Sequence, residues 1–163
     1  MTELRARNCL PMIAVSLALI GGLTQAAGNG SMTVSAVVVS KSKCKFSSGT
    51  MALNFGNVDP ASTVDATASA STGFTCKGSA SMATFFISAG DGLHSTGPGV
   101  RRMQHATVAT EFMAYSLGLS PSSATVPKGS AQTLTVTGTI QPFEFQNVRA
   151  GTYQDTVVIT LTP

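Results

Sequence analysis

The chain has 163 residues, room for one ordinary domain, of which 43% are hydrophobic, 10% charged and 6% aromatic, with no Trp. So much apolar content at low charge excludes disorder, and Glu, Lys and Arg are too scarce to cover the outer face of a helical bundle. The formal net charge is +3; the basic residues are scattered, with Lys41, Lys43 and Lys45 alternating and Arg101-Arg102 a lone pair, which excludes a phosphate-tracking stripe and hence nucleic acid as a partner.

In chain order, the first element is a targeting segment over residues 1–26. Arg5 and Arg7 form a positive start, Cys9 to Leu23 is a nearly unbroken apolar run, and Thr24-Gln25-Ala26 places small residues at a cleavage site after Ala26 or Ala27. The run is about 15 residues, short of the roughly 20 that span a bilayer, so it reads as a signal peptide that takes Cys9 with it. No second apolar segment follows, and no membrane span is expected after cleavage. Residues 27–40 form an extension in which Met32, Val34, Ala36 and Val38 alternate with Thr33, Ser35 and Val37, with no charge before Lys41. That period of two makes an extended strand, either the first of its own sheet or a spare one.

From residue 41 to 163 the period stays near two. Lys41 to Phe46 reads as a strand with a solvated lysine face. Met51, Leu53 and Phe55 alternate before the turn residues Gly56-Asn57 and Asp59-Pro60. Residues 61–72, mostly Ala, Ser and Thr, read as a weak strand or a loop. Strands follow at Phe74–Cys76 and Ala83–Ala89, then a loop from Gly90 to Val100. Met113, Tyr115 and Leu117 alternate, Ser120 to Ser123 and Val126 to Gly129 are turns, and Leu134, Val136 and Ile140 alternate around Gly138, a candidate bulge. Val157, Ile159 and Leu161 form a last strand. About seven short strands divided by turns predict an all-β sandwich of the immunoglobulin-like kind.

Beyond the signal, Cys44 and Cys76 are the only cysteines, and in an exported chain they are expected to form one disulfide. Closing a loop of about 33 residues stabilises by roughly 3–4 kcal/mol on the loop-entropy model. Catalytic motifs are absent: no P-loop, dinucleotide fingerprint, HExxH or GxSxG occurs. Asp91 and His94 are close in sequence, but Gly-Asp-Gly is turn chemistry and His94 reads as a loop residue. Asp155, unexpected in a strand, is assigned to receiving hydrogen bonds from turn amides. No enzyme activity, metal or cofactor is predicted.

The ending Gly151-Thr152-Tyr153-Gln154-Asp155-Thr156, followed by an alternating strand to Pro163, resembles the C-terminal signature of the spore coat protein U domain family, which includes subunits of archaic chaperone–usher pili. Leu53-Asn54-Phe55-Gly56 is similar to the motif that follows the first cysteine in that family, and Cys44 and Cys76 to its paired cysteines. The resemblance implies a sandwich lacking its last strand. A periplasmic chaperone would pair with Val157, Ile159 and Leu161. At an outer-membrane usher the extension of another copy or related subunit would replace it, with Met32, Val34, Ala36 and Val38 as the donor face. It further implies export to the periplasm and cell surface, and a role in adhesion and biofilm formation. The alternative is a monomeric secreted binding module of the same family.

Overall fold

A computed structural model describes residues 33–37 and 41–163 of the protein. The expected signal peptide, Met32 and Val38 lie outside the described residues. The chain divides into two units, Met1–Ala36 and Val37–Pro163. In the first, the described residues belong to no strand and Val34 is 79% exposed.

The second unit is an immunoglobulin-like β-sandwich. Its strands are β1 (Ser42–Phe46), β2 (Ala66–Gly78), β3 (Met82–Ala89), β4 (Arg101–His105), β5 (Phe112–Ser120), β6 (Ser123–Pro127), β7 (Ala131–Ile140), β8 (Tyr153–Gln154) and β9 (Ile159–Thr162), with one helical turn, α1 (Pro142–Phe145), after β7. One sheet has six strands in the order β1-β2-β7-β5-β4-β8, the other three in the order β6-β3-β9. The pairings are antiparallel.

The inward side chains of the period-two runs build the core. Phe74, Cys76, Phe85, Ile87, Val126, Leu134 and Val136 form its larger cluster, and the Phe74 and Phe85 rings meet edge to face at 4.8 Å across the layers. Met103, Met113, Ile140 and Phe145 form a second cluster at the other end.

Cys44 lies directly opposite Cys76 in the β1–β2 register, and the two are bonded, with Cα atoms 4.0 Å apart. The bond ties an edge strand that pairs over only five residues to the long β2. Cys76→Ser should lower stability by about 2–5 kcal/mol. Thermal unfolding of the exported protein measures this, and an unchanged melting temperature would show that the bond contributes nothing.

Several expectations are corrected. Residues 61–72, read as a weak strand or a loop, divide between the two: 61–65 lie in no strand, and from Ala66 the chain belongs to β2, paired with β7 from Ala66↔Ile140 to Thr75↔Ala131. Pairing overrides their modest strand propensity, because Ala66, Ala68 and Ala70 turn inward while Thr67, Ser69 and Ser71 stay outside. Gly138 is not a bulge, since the register runs through it unbroken. It is glycine because the Leu53 and Phe55 side chains lie against its Cα, where a Cβ would meet both. The predicted turns at Ser120–Ser123 and Val126–Gly129 are too long: β6 takes Ser123 from the first and Val126 and Pro127 from the second, an alternation too short to stand out. Met51–Phe55 alternates in burial but forms no ladder.

Candidate functional site

β9 is an edge strand: its only partner among the described residues is β3. Val157, Ile159 and Leu161 are half-buried, whereas Val158, Thr160 and Thr162 are exposed, Val158 by 70%. The Gly90 N–H donates to the Val158 carbonyl at 2.8 Å. By the alternation of an antiparallel ladder, the main-chain groups of Thr160 and Thr162 also point to β3. Those of Val157, Ile159 and Leu161 point to the open side.

Across that open side runs Met51–Phe55. Met51, Leu53 and Phe55 are half-buried and Ala52 and Asn54 exposed, so the segment has a strand's two-faced pattern without a strand's neighbour. Between the two walls is a groove of about 680 Å³, floored by Leu117, Leu134 and Val136 of the larger sheet and closed at one end by Met103, Tyr115 and Tyr153. Among the described residues Met51–Phe55 forms no ladder, and none of them occupies the position between it and β9. An apolar floor flanked by two unpaired main-chain edges is a template for one added strand.

The residues before β9 hold that edge in place. Gly151 has φ +153° and packs on the His105 ring, where any side chain would collide with the imidazole. Tyr153 lies edge-on to the same ring at 5.0 Å and donates its hydroxyl to the Arg149 carbonyl at 2.8 Å. His105 itself is buried; its Nδ1 accepts from the N–H groups of Thr107 and Val108, both at 3.2 Å, so the proton on Nε2 donates to the Ala150 carbonyl at 3.2 Å.

Asp155 receives the Tyr115 hydroxyl at 2.7 Å and the Leu93 N–H at 2.9 Å. Burial first, then the hydrogen bond and charge of Asp155, push the Tyr115 phenol far above its ordinary range, partly opposed by Arg101, so it remains a donor. Asp155 thereby fastens the start of the last strand both to β5 and to the loop after β3. Thr156 is exposed at the groove's rim. These contacts hold the start of the last strand against β5 and the loop after β3.

Asp91 and His94 face different partners. Asp91 accepts the Gly99 N–H at 2.7 Å, while His94 leans on Phe112 at 6.1 Å and its carbonyl receives Arg102 Nε at 3.0 Å. Among the described residues, no group of His, Cys, Asp or Glu could hold a metal ion, and no helix is long and apolar enough to cross a membrane. His105 was not legible as a support of the motif, because a lone histidine in a polar stretch carries no periodic signal. Its one clue is its place in β4, opposite Tyr153.

A family model for the spore coat protein U domain matches residues 28–160. Among solved structures, a chain from one headed "Chaperone-tip adhesin complex is vital for synergistic activation of CFA/I fimbriae biogenesis" is similar at a TM-score of 0.48 and 16% identity. The match covers 76% of this chain and 42% of that one, so the present chain spans less than half of its length. No curated protein sequence matches.

Proposed function

The chain belongs to the spore coat protein U domain family, and on that premise we propose that it is a structural subunit of a chaperone–usher surface pilus that polymerises by donor-strand exchange. Residues 28–39 of one copy enter the groove of the next. The single observation that carries this reading is the groove itself: two unpaired edges, β9 and Met51–Phe55, face each other across an apolar floor. In this reading Met32, Val34, Ala36 and Val38 turn toward Leu117, Leu134 and Val136. Burying those four side chains contributes on the order of 5–9 kcal/mol. Main-chain bonds to Val157, Ile159 and Leu161 set the register, because a slip of one residue would turn Thr33, Ser35 and Val37 inward.

Before assembly the same groove takes a strand from a periplasmic chaperone, and an outer-membrane usher is where the exchange occurs. The protein is exported through the inner membrane after loss of residues 1–26 and ends on the cell surface. There the polymer serves adhesion and biofilm formation, and the subunit performs no catalysis.

A synthetic peptide of residues 28–39 tests the reading directly. At about 100 times its dissociation constant it should stabilise the unpolymerised subunit by about 2.7 kcal/mol, seen as a melting temperature several degrees higher. It should also stop polymer growth by occupying the acceptor groove. A peptide carrying Val34→Asp and Val38→Asp should do neither. A wild-type peptide that leaves both melting and growth unchanged refutes the donor-strand assignment.

A further inference from the structure

The charges of residues 41–163 are segregated along the sandwich. At one end lie the start of β1, the end of β2 and the β2–β3 and β6–β7 turns, held together by the Ser79 N–H on the Lys41 carbonyl, the Lys128 N–H on Ser81 and the Gly129 N–H on Cys76. All five lysines, Lys41, Lys43, Lys45, Lys77 and Lys128, lie at or toward that end; all are exposed, and no side-chain carboxylate accompanies them. The opposite end gathers the start of β2, the β4–β5 turn, α1 and the loop after β3. It carries all six carboxylates of this span, Asp59, Asp65, Asp91, Glu111, Glu144 and Asp155, against three arginines. The formal charges are +5 and −3.

The lysine end keeps this charge against its own local interest. Lys43 and Lys77 are direct cross-strand partners in the β1–β2 ladder, an arrangement that repels. The neighbouring Cys44–Cys76 bond holds the strands together regardless. Guarding a sheet edge accounts for lysines on β1 but not for Lys77 on β2 or Lys128 in a turn.

We propose that the lysine end of one copy docks on the carboxylate end of the next, so that charge sets the direction in which subunits join. The inference rests on the donor-strand reading and adds the surface on which the junction closes. Strand direction connects the two. β9 runs from Ile159, opposite Ala89 at the carboxylate end, toward the lysine end. A donor strand antiparallel to β9 therefore finishes at the carboxylate end, and two residues later, within about 7 Å, its own chain reaches Lys41. The opposite poles of the two copies then meet within a Debye length of about 10 Å at 0.1 M salt. A parallel donor would press lysine end on lysine end. The polarity thus favours one of the two strand directions that the groove's apolar floor alone would accept.

The test is the rate of polymer growth of the exported, purified protein, followed by light scattering as salt is varied. The variant Lys41→Glu/Lys77→Glu/Lys128→Glu should grow at least about tenfold more slowly than wild type at low ionic strength, with the difference vanishing near 1 M salt. Asp59→Lys/Asp65→Lys should show the same defect. Mixing the two variants should restore growth, since each now offers the end that the other lacks; a merely misfolded variant would not be rescued. Unchanged growth of both variants, while removal of residues 28–38 still abolishes it, overturns the charge-guided junction and leaves the donor strand standing. A wild type that stays monomeric overturns both. Should the lysine end instead bind vesicles containing anionic phospholipid with growth unaltered, its partner is a membrane surface and the proposal fails.

Discussion

Removing residues 28–38 is expected to give a subunit that still folds with a chaperone and accepts a strand, yet cannot join as the incoming partner. Among the described residues the groove is lined by residues 46–159, so these walls and this floor survive the truncation. What is lost is the only uncharged, alternating segment ahead of Lys41. An open edge in one copy and a spare strand in another make a heterologous contact, which grows fibres because it does not close on itself. The truncated protein alone should therefore yield no ladder of oligomers on size exclusion. Mixed with the full-length subunit, it should shorten the polymers in proportion to its share, since it occupies a donor and offers none. Long, stable polymers of the truncated protein would sink the donor-strand reading and leave the monomeric secreted module in its place.

Leu161→Asp should abolish accumulation of folded subunit. Leu161 lies opposite Ile87 of β3 and packs against the core cluster of Phe74, Phe85 and Val136. An unpaired carboxylate at that position costs several kcal/mol, a large part of the 5–15 kcal/mol that holds a domain folded. The control is one residue away: Thr160 is exposed on the outer face of the same strand, and Thr160→Asp should change stability by no more than about 0.5 kcal/mol. Periplasmic yield of the two variants, compared by immunoblot, decides the matter. Equal yields would mean that Leu161 does not face the core.

The contrast between those neighbours was readable from the alternation Val157, Ile159, Leu161 against Val158, Thr160, Thr162, because a strand with one buried face imposes its period on the residue types. The same physics made β3 and β7 legible, through Phe85 and Ile87 in the one and Leu134, Val136 and Ile140 in the other, buried at alternate places. It failed for the first half of β2. There the inward residues are alanines, which bury too little apolar area to stand apart from the serines and threonines between them. It failed also for Gly138, where a glycine within a strand pattern signals either a bulge or a close approach, and only the Leu53 and Phe55 side chains say which.

By itself the amino-acid sequence determined the all-β class, the buried face of β5, β7 and β9, the pairing of Cys44 with Cys76 and the family, because these follow from local periodicity and from residues unique in the chain. Tertiary structure alone decided that Met51–Phe55 and β9 are the two sides of one groove, that Asp155 is bound by Tyr115 and Leu93, and that the lysines and carboxylates occupy opposite ends. Each of these joins residues tens of positions apart. Their meeting depends on strand order and register, which are set by the summed packing of two sheets and leave no trace in the spacing of any single segment.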